Sequence, residues 1–315
     1  MPDSDRARAD GAALSVVVMG YRNEETIVAA VASVLGQQAP EPFEVVVVTS
    51  GGDASAARVR QAFPDLAVFE SPERLLPGGA RNAGVRMARG GIVAFLAADC
   101  LAEPGWVAAR LRAHRAGHQA VSAAVTSADP QRPWSWAALF LSYHDRLPGR
   151  PAGPVEAPDP AAHGISFDRD LLDRVGPFDE TRRIGEDTDM ARVLAARGVE
   201  VWFEPAVRIA HRGPPSTRAL LADYHRRGAR FVRENGLAPP GGGAWLAILR
   251  AEAKLFRRRL GLVVQGARRH VPPERRSRLL WAGPWIVAGL LALRTGRVRA
   301  FRAVRRRASR GDQEA

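Results

Sequence analysis

The chain of 315 residues has one cysteine, Cys100, and one lysine, Lys254. One cysteine excludes an intramolecular disulfide framework and a zinc site built from several thiolates, and it is compatible with a reducing compartment. A long apolar run is also missing. The stretch Leu279–Leu293 carries no charge over 15 residues, short of the roughly 20 that a membrane-spanning helix needs. Residues 1–13 are charged and alanine-rich, and the first apolar run, Leu14–Met19, is short and leads into polar residues. That opening does not read as a signal peptide. Residues 1–13 are expected to be a disordered N-terminus, and the region after them is expected to stay in the cytoplasm. Apolar residues make up 46% and charged residues 25%, which excludes global disorder and a collagen-like or low-complexity chain. The length suffices for a large domain with its own core plus an appendage.

Positive charge is abundant but localised. The net charge is +13, yet residues 241–315 hold 18 basic against 4 acidic residues, and the first 240 hold 28 against 29. The chain therefore reads as a near-neutral domain with a cationic extension, not as a uniformly basic nucleic-acid binder. No nucleic-acid recognition motif accompanies the arginines, and apolar runs divide them.

Short apolar runs alternate with helical patterns through the first hundred residues. Ser15–Met19, Val45–Val48, Leu66–Phe69 and Ile92–Leu96 read as strands. Ile27, Val31, Val34 and Leu35 mark one helical face, and Ala80, Ala83, Gly84, Met87 and Ala88 mark another. This order predicts an α/β fold with a mostly parallel sheet covered on both faces. Ligands in such sheets sit beyond the carboxyl ends of the strands, here at Gly20-Tyr21, Thr49-Ser50 and Ala98-Asp99. Gln119–Thr126 suits a further strand. The proline-rich stretch 127–163, with Trp134, Trp136, Tyr143 and His144, reads as loop or short helix. A helix starts at Glu186 with Gly198 at its end, and Val199–Phe203 reads as a strand. Pro239-Pro240 and the three glycines after them suggest a domain boundary, giving a catalytic-type domain over 14–235 and a basic, amphipathic helical extension over 236–315.

In that extension Trp245, Ile248, Leu249, Leu255, Phe256, Leu260, Val263 and Val264 fall near one helical face, which Glu252 interrupts. Arg275, Arg276 and Arg278 precede Leu279–Leu293, and Arg294, Arg297 and Arg299 follow it. Basic flanks with Trp281 and Trp285 suit a helix lying in a membrane interface, although packing on the domain or spanning with help from neighbours stays open.

The order of motifs over about residues 14–230 resembles family 2 glycosyltransferases, enzymes of the GT-A fold. The residues that carry the resemblance are Ser15–Glu25, Ala80-Arg81-Asn82-Ala83-Gly84, Ala88-Arg89-Gly90, Phe95-Leu96-Ala97-Ala98-Asp99, His163–Phe167, Val175–Glu180 and Gly185-Glu186-Asp187. What the resemblance implies is inverting transfer of a sugar from a nucleotide-diphosphate donor to a hydroxyl. The acceptor would be a lipid-linked or cell-envelope glycan at the cytoplasmic face of the membrane, reached by peripheral association through the extension. It implies a donor site at Tyr21, Ser50, Arg81, Ala98 and Asp99. A divalent metal, Mg²⁺ or Mn²⁺, would be held by Asp99 with His211, and catalytic carboxylates would be Asp187 and Glu186. Acceptor contacts would fall at Trp134, Trp136 and Arg227. The chemistry fits these types. A leaving diphosphate needs its charge neutralised, and an attacking hydroxyl needs a base.

Each assignment has a plainer counterpart. Asp99 could form a turn, and Glu186 and Asp187 could serve the helix dipole. Arg81 could cap a helix, Tyr21 and the tryptophans could be core, and His211 could be an ordinary hydrogen-bonded histidine. The sequence also departs from the family. Ala97 stands where the first carboxylate of the DxD motif is usual, and Thr49-Ser50 stand where an aspartate usually meets the base. These losses leave a second reading open, a degenerate GT-A domain that binds a glycan or partner without catalysis.

Overall fold

The computed structural model describes residues 11–155, 164–183, 185–240 and 244–311. Most of the expected disordered N-terminus, His163, and residues 241–243 of the expected boundary lie outside them. Two compact units emerge, one of Met1–Ala128 with Pro151–His211 and one of Asp129–Arg150 with Arg212–Ala315. The division therefore does not fall at the expected 235/236 position.

The first unit is built on nine strands that form one sheet: β1 (Leu14–Tyr21), β2 (Phe43–Ser50), β3 (Ala67–Ser71), β4 (Ile92–Ala97), β5 (Cys100–Ala102), β6 (Ala120–Ser127), β7 (Gly153–Val155), β8 (Ser166–Asp168) and β9 (Val201–His211). Its helices are α1 (Ile27–Leu35), α2 (Ser55–Ala62), α3 (Pro77–Met87), α4 (Trp106–Arg115), α6 (Arg169–Val175) and α7 (Glu186–Ala196), with α5 (Pro133–Tyr143) reserved for the second unit. The strand order is β3-β2-β1-β4-β8-β6-β9-β5, with β7 on β9. β1 through β4 are mutually parallel, β8 runs against β4 and β6, and β6 and β9 are parallel. The carboxyl ends of β1, β2, β4, β6 and β9 thus share one edge of the sheet.

Local sequence explains the arrangement. β1 and β2 carry valine runs, Val16–Val18 and Val45–Val48, all buried, as strands covered on both faces require. β3 ends the sheet and is largely exposed along its length. A core of Val17, Val48, Phe95, Phe167, Phe178, Met190 and Leu194 joins the sheet to the helices. Phe95, Phe167 and Phe178 meet edge to face, with centroids 5.7–6.3 Å apart. β9 is longer than its predicted counterpart. A register shift opposite Ala123/Ala124 lets it continue from Val201 to His211, so a strand expected to end at Phe203 reaches the functional edge.

The second unit is helical. α5 arises inside the stretch read as loop or short helix, with Pro133 in its first turn where a missing N–H costs nothing. α8 (Thr217–Glu234), α9 (Trp245–His270) and α10 (Ser277–Gly311) complete it. α8 and α10 approach at glycines. A Cβ on Gly228 would lie 2.1 Å from the Leu293 carbonyl oxygen, and one on Gly296 would lie 2.0 Å from that of His225. The interruption seen at Glu252 has a structural cause. Glu252 is buried and accepts from Arg297 Nε at 2.9 and 3.0 Å, and Arg297 also lies over Phe231 and Phe301.

Candidate active site

The shared edge of carboxyl ends is where a site belongs, and the strand order places a switch point between β1 and β4. β1 ends at Gly20-Tyr21, in register with Thr49-Ser50 of β2. Arg22 follows in the left-handed region at φ 54° and donates from its N–H to the Ser50 carbonyl. The Tyr21 ring lies under the Arg74 guanidinium, 4.2 Å from its carbon to the ring centroid. Tyr21 and Ser50 are therefore neighbours, as expected, and Arg74 is an addition that no motif had indicated. Ser50 itself is buried. Asp53 is committed to the start of α2, where it accepts from the Ser55 N–H and hydroxyl and from the Glu24 N–H.

β4 leads through Ala98, whose N–H donates to the Met19 carbonyl, to Asp99. β5 starts one residue later and pairs Cys100 with His211 at the end of β9. That pairing sets His211 Nε2 3.7 Å from Asp99 Oδ2. Asp99, Cys100 and His211 each offer one ligand atom, and all three atoms lie within 4.8 Å. The fit to a divalent ion can be tested on this donor set. Two donors about 2.1 Å from one ion can be no more than about 4.2 Å apart, which the Asp99–His211 spacing satisfies. Burial, then the neighbouring Asp99 carboxylate, pushes the Cys100 thiol up in the absence of an ion. An oxygen and an imidazole nitrogen with room for other ligands suit an ion that keeps waters or substrate oxygens.

α7 carries three acids in its first turn, Glu186, Asp187 and Asp189, and the structure sends them to different tasks. Asp189 pairs with Arg182 at 2.6 Å and Arg192 at 2.9 Å on the surface. Glu186 is buried and ion-paired with Arg81 of α3, whose guanidinium lies over Phe178 at 5.3 Å and Phe95 at 5.8 Å. Arg81, which the resemblance implies at the donor site, is thus turned inward to a carboxylate partner, and Glu186 is occupied by that same contact. Asp187 is half-buried. Its carboxylate accepts from the Thr188 N–H at 2.7 Å and lines a small, mainly apolar cavity with Ile165, Phe167, Phe178 and Met190.

Other motif residues prove to be supports. Asn82 exchanges two hydrogen bonds with the Phe178 backbone at 2.9 and 3.0 Å and donates to Glu180 at 2.8 Å. The segments 80–84 and 175–180 are therefore one clamp. Arg110, fully buried, donates to the Gly164 and Val121 carbonyls and the Ser166 hydroxyl. His114 bridges Ser166 and Asp168, each at 2.7 Å. Burial holds the His114 imidazole below its ordinary value. The three residues expected at an acceptor belong to the second unit. Trp136 is buried, donates to the Pro130 carbonyl and packs on Phe140, a core role. Trp134 is half-buried and donates to the Pro214 carbonyl. Arg227 pairs with Asp223 at 2.6 Å and lies over Tyr224.

Comparison with known proteins agrees with this architecture. The sequence pattern of Glycosyl transferase family 2 matches residues 15–176. The succinoglycan biosynthesis protein ExoO of Rhizobium meliloti is 32% identical over 224 residues, 67% of this chain and 64% of that protein. The pre-mycofactocin glycosyltransferase of Mycobacterium tuberculosis is 28% identical over 201 residues, 60% of this chain and 41% of that protein. The match thus spans less than two thirds of either relative. A solved structure of the mannosyltransferase PcManGT from Pyrobaculum calidifontis, in complex with GDP-Man and Mn²⁺, superposes with a TM-score of 0.54 at 22% identity. It covers 94% of this chain and 92% of its own. At that identity the likeness is one of fold, the GT-A arrangement of a mixed α/β sheet.

Proposed function

Since the chain belongs to glycosyl transferase family 2, matched over more than half its length, we propose that it is an inverting glycosyltransferase. It moves a sugar from a nucleotide-diphosphate donor to a hydroxyl of a lipid-linked or cell-envelope glycan at the cytoplasmic face of a membrane. The observation that carries the reading is the juxtaposition of Asp99 and His211 at the carboxyl edge of the sheet. The likeness to a succinoglycan biosynthesis protein supports a glycan acceptor. The helix α10, long and apolar enough by composition to cross or enter a bilayer over Ser277–Arg305, supports peripheral membrane association.

In this reading Asp99 and His211 hold a divalent ion, and when bound there the ion neutralises charge on the departing diphosphate. Tyr21, with Arg74 over its ring, forms a flat wall beside Ser50 for the nucleotide. Asp187 takes the proton of the acceptor hydroxyl as that oxygen bonds to the anomeric carbon and the bond to the diphosphate oxygen breaks. Glu186 and Arg81 hold the first turn of α7 against α3 and so position Asp187. Replacing Asp187 by Asn should lower transfer by at least about 100-fold while sparing donor binding. An active Asp187→Asn variant would remove the base from this scheme.

A second reading, a GT-A domain that binds a glycan or partner without catalysis, draws on Ala97 in place of the first DxD carboxylate and on the burial of Glu186. Sugar release from a nucleotide donor by the purified protein eliminates it. A scan of nucleotide diphosphates with Mn²⁺ or Mg²⁺ tests the donor site independently, since a ligand at 100 times its Kd adds about 2.7 kcal/mol to stability.

A further inference from the structure

The second unit contains a groove to which the proposed function assigns no role. It measures about 670 Å³ and is formed by α9 and α10 with His225 of α8. One part of its lining is apolar, from Trp245, Leu249, Leu291 and Val298, and the other is cationic, from Arg294, Arg299 and Arg302. Among the described residues no carboxylate pairs with these three arginines, whereas buried Arg297 on the same helix has Glu252. The Arg302 guanidinium carbon lies 3.9 Å from the Trp245 ring centroid, a contact that does not neutralise its charge.

Polarity is also segregated along the outer face of α10. Leu280, Val287 and Leu291 are 81%, 39% and 43% exposed and follow one another on one stripe, with Pro284 between them also exposed. Further along the same stripe come Thr295, Arg299 and Arg302, all exposed. From Leu280 to Leu291 the apolar part runs about 16 Å at 1.5 Å per residue. It meets the groove at Leu291, which belongs to both. A cationic recess opening onto an apolar track is complementary to a molecule with an anionic head and a hydrocarbon tail. It is not complementary to a free anion, which has no use for the track, or to a nucleic acid, which would need charge along the whole face.

We infer that this groove binds a phosphate-headed membrane amphiphile, with the phosphate at Arg294, Arg299 and Arg302 and the tail along Leu291, Val287 and Leu280. The inference rests on the membrane-face part of the proposed function and adds a defined site to it. A diffuse basic surface would attract an anionic bilayer through every exposed cation alike. Here the three groove arginines should outweigh an equal number elsewhere on the same helices.

The full chain would be sedimented with vesicles of phosphatidylcholine alone and of phosphatidylcholine with phosphatidic acid. Three proteins are compared: wild type, Arg294→Gln/Arg299→Gln/Arg302→Gln, and Arg250→Gln/Lys254→Gln/Arg257→Gln, the last changing the same charge on the exposed face of α9. At about fivefold per cation near the surface, the groove variant should lose on the order of 100-fold in partitioning to acidic vesicles, and the α9 variant clearly less. Equal losses, or no preference of the wild type for acidic vesicles, overturn the site. A soluble short-chain phosphatidic acid should raise the Tm of the wild type, and inorganic phosphate should not. Leu249→Gln, which keeps every charge, should weaken the first effect. A shift by inorganic phosphate as large as that by the amphiphile also overturns the proposal. Sugar release from a nucleotide donor is read in parallel. Its absence with vesicle binding intact removes the enzymatic reading alone, and its presence with vesicle binding lost removes the groove alone.

Discussion

Replacing Glu186 by Ala separates a structural carboxylate from a catalytic one. Glu186 and Arg81 are 7% and 5% exposed at their side chains, and the guanidinium is further enclosed by Phe95 and Phe178. Removing the carboxylate leaves a cation with little access to water, which costs about 3–5 kcal/mol. For a unit of 150–250 residues each kcal/mol moves Tm by roughly 2–4 °C, so Glu186→Ala should lower the melting transition of the first unit by roughly 6–20 °C. Glu186→Gln keeps an acceptor oxygen and should fall between. Replacing both residues, as Arg81→Met with Glu186→Met, removes the buried cation together with its carboxylate and should recover most of the loss. Scanning calorimetry gives the transitions, and sugar transfer is measured well below them. If Glu186 acts only by positioning α7, the double variant regains transfer together with stability. A Glu186→Ala variant that melts within about 1 °C of wild type but has lost transfer would refute this reasoning, because it would show a carboxylate needed by the chemistry and not by the fold.

Four other outcomes follow from the same contacts. Asp99→Asn and His211→Ala should each abolish the Mn²⁺-dependent part of the Tm shift caused by a nucleotide diphosphate, and Asp99→Asn should leave Tm without ligand nearly unchanged because Asp99 is 45% exposed. Gly84→Ala would place a Cβ 2.2 Å from Val17 Cγ1. It should cost about 1–3 kcal/mol by pushing α3 from β1, measurable as a lower urea midpoint. His114 is held below its ordinary value by burial, so the unfolded chain takes up this proton first as pH falls. Its contribution is complete above about pH 6.5 and is lost progressively below it, down through the folded value. Urea midpoints should therefore drop below about pH 6.5, and His114→Gln should flatten that part of the profile. Glu252→Ala should destabilise the helical unit by about 3–5 kcal/mol, since Arg297 would remain buried without its carboxylate; helix loss followed by circular dichroism would show it.

The parts of this protein that were legible in its sequence are those whose cause is local. A valine run such as Val45–Val48 can only be buried on both faces, and it is. A small or polar residue just beyond such a run lies at a strand end, so the sequence alone sets Gly20, Ser50 and Asp99 at one edge. What stayed hidden depends on partners far along the chain. The stretch 127–163 looked irregular because its prolines punctuate it, yet Pro133 starts a helix instead of preventing one. The apolar run that marks β9 ends at Phe203, and only the register shift against β6 carries the strand on to His211. Nothing near Glu252 announces Arg297, 45 residues away.

The same distinction governs the site. Glu186 and Asp187 are adjacent, share a charge and start the same helix, so composition and helix-dipole arguments treat them alike. They part because α3 brings Arg81 into an ion pair with Glu186, a separation of 105 residues in the chain. Asp187 keeps a half-buried carboxylate that accepts from Thr188. A general base must be able to take a proton and give it up to water, which a carboxylate sealed against a buried guanidinium does at a large cost in stability. Of the two acids the motif offers, the proposed mechanism therefore gives the base role to Asp187, and it does so through the fate of its neighbour.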